Sequence, residues 1–104
     1  MDQKDAIIIA HQYADAVKSK YDYSQIILFG SYAKGNFNKD SDIDIAVILK
    51  DYDNKMVVQL DLMRLRRKID SRIEPHPFRQ NEFEITNPMV SEIMKYGQEI
   101  WRQD

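Results

Sequence analysis

The 104-residue chain contains no cysteine, which excludes a disulfide framework and any thiolate metal site. It has no apolar run approaching the roughly 18 residues that span a bilayer. Its opening, Met1-Asp2-Gln3-Lys4-Asp5, is charged and leads into no signal-peptide core, so the expectation is a cytoplasmic protein without a membrane segment. A surplus of basic charge is also missing. Fifteen lysines and arginines face 17 aspartates and glutamates, for a net charge of −2. That balance argues against direct nucleic-acid binding, which needs a basic footprint. Glycine and proline are scarce, at three each, so each one punctuates the chain. There is no internal repeat, low-complexity tract or linker.

What is there is the composition of a folded domain, 43% apolar and 31% charged. One domain over residues 1–104 is expected. A domain this small buries only about two-thirds of its unfolded surface, which leaves room for an open face or a partner.

Ala6, Ile9, Ala10, Tyr13, Ala14 and Val17 recur at spacings of three and four, predicting an amphipathic helix over residues 3–20. Residues 25–29 form a β-branched and aromatic run, predicted as a buried strand that stops at Gly30. Ser31 is expected to cap a short helix over 31–34, followed by a polar loop over 35–40. Residues 42–49 alternate acids with Ile43 and Ile45 and then become continuously apolar. They predict a strand polar at one end and buried at the other. A second helix is predicted over 55–69 on the stripe Val58, Leu62, Leu65 and Ile69. Arg64, Arg66, Arg67 and Lys68 crowd its end, either as solvated charge that suits the helix dipole or as a contact for phosphate or an acidic surface. A third strand is predicted over 71–76, brief or at an edge because Pro75 and Pro77 cannot donate to a ladder. Residues 78–86 read as irregular. Asn87-Pro88 opens a helix to Tyr96, Gly97 stops it, and 98–102 adds a last strand. The order predicts an α/β (α+β) fold, a small mixed sheet with helices packed on it.

The chemistry gathers in residues 26–44. An apolar run ends at Gly30-Ser31, and Asp42-x-Asp44 opens the next one. Gly30-Ser31 can offer backbone N–H groups and a helix start to phosphate. Asp42 and Asp44 are separated by one residue on a strand, so both carboxylates face one side while Ile43 and Ile45 anchor the other. Two hard oxygen ligands together call for a divalent cation, since unneutralised like charges oppose each other's ionisation. The pattern points to a nucleoside triphosphate site with two metal ions, roughly 3.5–4 Å apart. A third carboxylate is expected, with Glu74 on the adjacent strand as first choice and Asp70 as second. His76 follows Glu74 closely enough to belong to the site or to lie outside it. Tyr32 either stacks on a base or covers the turn.

The string Phe-Gly-Ser-Tyr-Ala-Lys-Gly, five residues, then Ser-Asp-Ile-Asp-Ile-Ala-Val, over residues 29–47, resembles the signature of the DNA polymerase beta-type nucleotidyltransferases. It is most similar to their small stand-alone members, the minimal nucleotidyltransferases (MNT) that pair with HEPN-domain proteins. The resemblance implies that Gly30 and Ser31 contact the triphosphate and that Asp42 and Asp44 bind Mg²⁺. It implies that Glu74 is the third catalytic and metal-binding acid, although relatives more often carry Asp there. Lys34 stands where relatives carry Arg or Lys, and Ser41 falls within the same string; both are counted with the nucleotide-binding residues.

Relatives with a larger chain grip the acceptor with an added helical domain, for which these 104 residues leave no room. The resemblance therefore implies an antitoxin that transfers AMP from ATP to a tyrosine hydroxyl of a HEPN toxin. Two other readings remain: a non-catalytic module that neutralises its partner by binding, and nucleotidyl transfer to a small molecule.

Overall fold

The computed structural model describes residues 1–103. The elements are α1 (Gln3–Lys18), β1 (Tyr23–Phe29), α2 (Ser31–Lys34), β2 (Ile43–Leu49), α3 (Lys55–Leu65), β3 (Ile73–Arg79), α4 (Pro88–Tyr96) and β4 (Gln98–Arg102). Short 3-10 turns follow α3 at Arg66–Lys68 and β3 at Gln80–Glu82. The strands form one sheet in the order β3-β2-β1-β4. β1 runs antiparallel to β2 and β4, while β2 and β3 are parallel. This is the mixed sheet with packed helices that the sequence pattern predicts.

Both faces of the two central strands are covered, which is why β1 and β2 read as near-continuous apolar runs. On one face Ile26, Leu28, Ile43 and Ile45 pack with Tyr13 and Val17 of α1 and Leu62 of α3, all of them buried. The Tyr13 hydroxyl donates to the Leu62 carbonyl at 2.7 Å, so the one polar atom of that large side chain is satisfied inside the core. The other face carries a smaller cluster, Ile27, Phe29, Ala46, Ile48 and Ile93 of α4, with Phe78 and Phe83 packed against it. The candidate site lies at the open end of this second face.

Three local readings change. α3 ends at Leu65 and tightens into a 3-10 turn instead of continuing to Ile69. The third strand begins later and runs on to Arg79, so Phe78 is a strand residue packed on the smaller cluster. It is nevertheless an edge strand, as its prolines require. The carbonyls of Ile73 and Pro75 are taken by side chains from the α3 region: Arg66 Nη1 donates to the first and Gln59 Nε2 to the second, each at 2.9 Å. Gly97 ends α4 through close packing and not through a left-handed turn. Its φ is −67°, and a Cβ there would run into the Ile93 carbonyl oxygen and Ile27 Cγ2.

No helix of the described residues is long and apolar enough to cross a membrane.

Leu62 is fully buried between the sheet and α1. Leu62→Ala is expected to lower unfolding free energy by about 2–5 kcal/mol, read from urea denaturation. A pH dependence is also expected at Tyr21. Burial, together with the hydroxyl's hydrogen bond to the Asp61 carboxylate, pushes its pKa up to about 12. The fold therefore favours the neutral phenol over its unfolded value of about 10. That contribution is complete below pH 10 and is lost as pH rises toward 12. Tyr21→Phe should lose less stability than the wild type across this window, as followed by urea midpoints.

Candidate active site

β1 ends at Phe29 and the chain turns at Gly30, with φ +76° and ψ −154°, a conformation that is essentially glycine's alone. The absence of a side chain serves a second purpose. A Cβ on Gly30 would overlap Asp44 Oδ2, so the carboxylate lies directly against the Gly30 backbone. The α2 turn begins at Ser31 with Gly30 as its cap, one residue earlier than the serine cap expected from sequence. The Lys34 amide bonds back to the Gly30 carbonyl at 3.1 Å. The amides that open the turn have no partner within it, as at any helix start. Gln3 Nε2 reaches over from α1 to the Tyr32 carbonyl at 2.7 Å and fixes the turn from outside. Tyr32 is buried and stacks on Phe37 with centroids 4.6 Å apart. It covers the turn and is not available to stack on a base.

The β2 register places Asp44 beside Phe29 of β1 and Glu74 of β3. Asp42 is exposed and sits just before the strand, whose start is tied by the Ile43 amide to the Arg72 carbonyl at 2.9 Å. Asp44 is half-sheltered, with 26% side-chain exposure. His76 Nε2 stands 3.1 Å from Asp44 Oδ1, and its ring meets Phe29 edge to face with centroids 5.0 Å apart. Asp44 thus has one oxygen packed against the Gly30 backbone and the other within hydrogen-bond distance of His76 Nε2.

The remaining predicted residues divide. Glu74 is opposite Asp44 in register, but its Oε2 is 4.0 Å from Arg66 Nη1, at the outer edge of the sheet. Asp70, the alternative third acid, is engaged elsewhere. Arg72 grips it through Nε and Nη2 at 2.9 and 2.6 Å, and this hydrogen bonding holds its carboxyl below the usual carboxylate range. Ser41 shapes the loop, since its hydroxyl accepts from the Asn38 amide at 2.9 Å while its own amide donates to the Asn38 carbonyl at 3.1 Å. Lys34 reaches α4, where its ammonium pairs with Glu92 and lies 5.0 Å above the Tyr96 ring centroid. The hydrogen bond to Glu92 raises the Lys34 pKa.

Among the described residues, no group of three or more His, Cys, Asp or Glu side chains converges closely enough to hold a metal alone. Mg²⁺ does not need such a cluster, because one or two carboxylates, substrate phosphates and water usually make up its shell. Asp42 and Asp44 could offer hard oxygens to such a cation, and Asp44 Oδ2 occupies the space that a side chain on Gly30 would take. A groove of roughly 210 Å³ is lined by Lys55, Gln59, His76, Pro77, Phe78, Asn87 and Met89, so it meets the site at His76.

The sequence pattern brings Gly30, Ser31, Asp42, Asp44 and Glu74 to one end of the sheet. His76 carried a signal as well, since a residue two positions beyond Glu74 on a strand shares its face. The Glu92 and Tyr96 contacts of Lys34 carried none, because only tertiary packing brings α4 beside α2.

Residues 11–100 match the family profile described as "Nucleotidyltransferase domain". The relative "Putative protein adenylyltransferase MJ0141" of Methanocaldococcus jannaschii is 28% identical over 88 residues, covering 81% of this chain and 83% of its own length. A toxin–antitoxin complex crystallised with AMP-PNP is similar in structure, with a TM-score of 0.69 at 22% identity over 90% of this chain and 74% of that one. So is a complex of a tri-AMPylated Shewanella oneidensis HEPN toxin with its MNT antitoxin, with a TM-score of 0.65 at 19% identity over 94% and 73% of the respective chains. The profile spans the Gly30–Asp44 stretch, β1 to β3 and the start of β4, and the chain belongs to the nucleotidyltransferase domain family.

Proposed function

We propose that this protein is a Mg²⁺-dependent adenylyltransferase that moves AMP from ATP to a tyrosine hydroxyl of a HEPN-type partner protein, and so acts as an antitoxin. Residues 1–104 form the catalytic unit in this reading. The observation that carries it is the placement of Asp44, packed against the Gly30 turn at the end of β1 and two residues after Asp42. The relative named for protein adenylylation and the antitoxin folds support the choice of a protein acceptor.

The triphosphate lies along Gly30 and Ser31, where the amides that open the turn have no partner within it and can meet phosphate oxygens. Asp42 and Asp44 would hold the cation that accompanies the nucleotide. When bound, Mg²⁺ neutralises phosphate charge and makes the acceptor hydroxyl easier to ionise. That hydroxyl attacks the α-phosphorus in line, forming a P–O bond while the α–β bridging P–O bond breaks. Pyrophosphate leaves with the electron pair. Glu74, opposite Asp44, is the carboxylate assigned to take the hydroxyl proton, by turning away from Arg66. Lys34 can reach phosphate only by leaving Glu92, while Ser41 contributes through the loop that precedes Asp42.

One observation favours a second reading, neutralisation by binding alone. The Glu74 carboxylate is directed to Arg66 and does not converge with Asp42 and Asp44.

One experiment separates the two. The protein is incubated with Mg²⁺, ATP and a HEPN partner, and the partner is followed by intact mass. Added AMP on a tyrosine is expected, and Asp42→Asn with Asp44→Asn should slow its appearance by a factor on the order of 10³ or more. An unmodified partner that the folded double variant still neutralises would establish the binding reading instead. Gly30→Ala is expected to cost about 1–3 kcal/mol of stability through its positive φ. It should also slow transfer, because the new methyl group displaces Asp44. Urea denaturation and the initial transfer rate measure the two effects.

A further inference from the structure

We infer that His76 is a positioning residue for Asp44: it holds one carboxylate oxygen so that the other is presented to the metal–nucleotide at Gly30. The inference rests on the reading of Asp44 as a cation-side ligand and adds to it a residue outside the family string.

An ionised carboxylate only accepts hydrogen bonds, so an imidazole nitrogen bonded to it must carry the proton. At 3.1 Å from Asp44 Oδ1, His76 Nε2 is therefore the donor of that bond. The donor is fixed from several sides. Its strand is locked in parallel register with β2, Ala46 opposite His76 and Asp44 opposite Glu74. The residues flanking it, Pro75 and Pro77, have fixed φ angles. Its ring rests on Phe29, the residue that precedes Gly30. The same short segment, Phe29-Gly30, thus meets the histidine ring with one residue and packs against the second Asp44 oxygen with the next. Without the donor, Asp44 could turn about its side-chain torsions and offer either oxygen, and part of the affinity for the cation would be spent on ordering it. Such outer contacts to a ligating group typically change metal affinity by about 10–100-fold.

The competing explanation is that His76 merely fills space on Phe29. His76→Phe keeps an aromatic ring there and removes the donor, whereas His76→Gln keeps a donor of similar reach and removes the ring. Binding of Mn²⁺ in the presence of AMP-PNP, followed by the loss of the free-ion EPR signal, needs no turnover. We expect His76→Phe to weaken Mn²⁺ binding by about 10-fold or more and His76→Gln to restore most of it. A second measurement needs no variant at position 76. Long-range ¹H–¹⁵N spectra of the wild type should show a proton on His76 Nε2, and Asp44→Asn should shift that resonance while leaving that of His11, the chain's other histidine and exposed on α1, in place. Equal Mn²⁺ binding by wild type and His76→Phe, or a bare Nε2 in the spectrum, would overturn the assignment. If the wild type bound no Mn²⁺ with the nucleotide, the reading of Asp42 and Asp44 would fall first, so the two failures are told apart.

Discussion

The carboxylate of Asp44 is packed against bare backbone at Gly30, and the surrounding elements are arranged to make that contact hold. β1 must stop at Phe29 for the chain to turn there with a positive φ. β2 must pair with β1 so that Asp44 falls beside Phe29. A single register slip would send Asp44 to the other face and bring Ile43 or Ile45 out of the main core. The apolar residues on either side of Asp44 therefore act as its alignment device: the fully buried Ile43 and Ile45 fix which way the acid points. Stability and site geometry are set by the same alternation.

The sheet divides labour between its faces. The larger cluster, under α1 and α3, contains most of the buried side chains. The smaller one, under α4, leaves one end of its face uncovered, and that end is where Asp44, Glu74 and His76 stand in adjacent rows. Basic residues at the end of α3 take a structural part in this division. Arg66 binds the Ile73 carbonyl and faces Glu74, so one member of a cluster that reads as surface charge serves the edge of the sheet.

Much of this was legible in the sequence. Element order followed from periodicity, and the meeting of Gly30-Ser31 with Asp42-x-Asp44 followed from two apolar runs joined by a short polar loop. Local chemistry also placed β3 at an edge, through Pro75 and Pro77. What could not be read depended on partners distant in the chain. Lys34 looks available for phosphate until α4 brings Glu92 to it. Ser41 looks like a ligand until the loop closes it on Asn38. Asp70 and Glu74 are similar acids three and one residues before Ile73 and after it, yet Arg72 takes the first and Arg66 faces the second. Gly97 shows a subtler limit. A helix stop was right, but its cause was the nearness of Ile27 and the Ile93 carbonyl, a packing constraint and not a backbone one.

The outer side of β3 has a wider consequence. Two of its residues have no N–H to offer, and the carbonyls of Ile73 and Pro75 are already occupied by Arg66 and Gln59. Another strand arriving there would find few backbone groups to zip onto. The flank nearest Glu74 and Asp44 is thus protected from accidental sheet extension, including by a second copy of the same chain. Any protein that does approach from that side must be recognised through side chains, which makes selection of the right acceptor a matter of surface chemistry and not of generic backbone pairing.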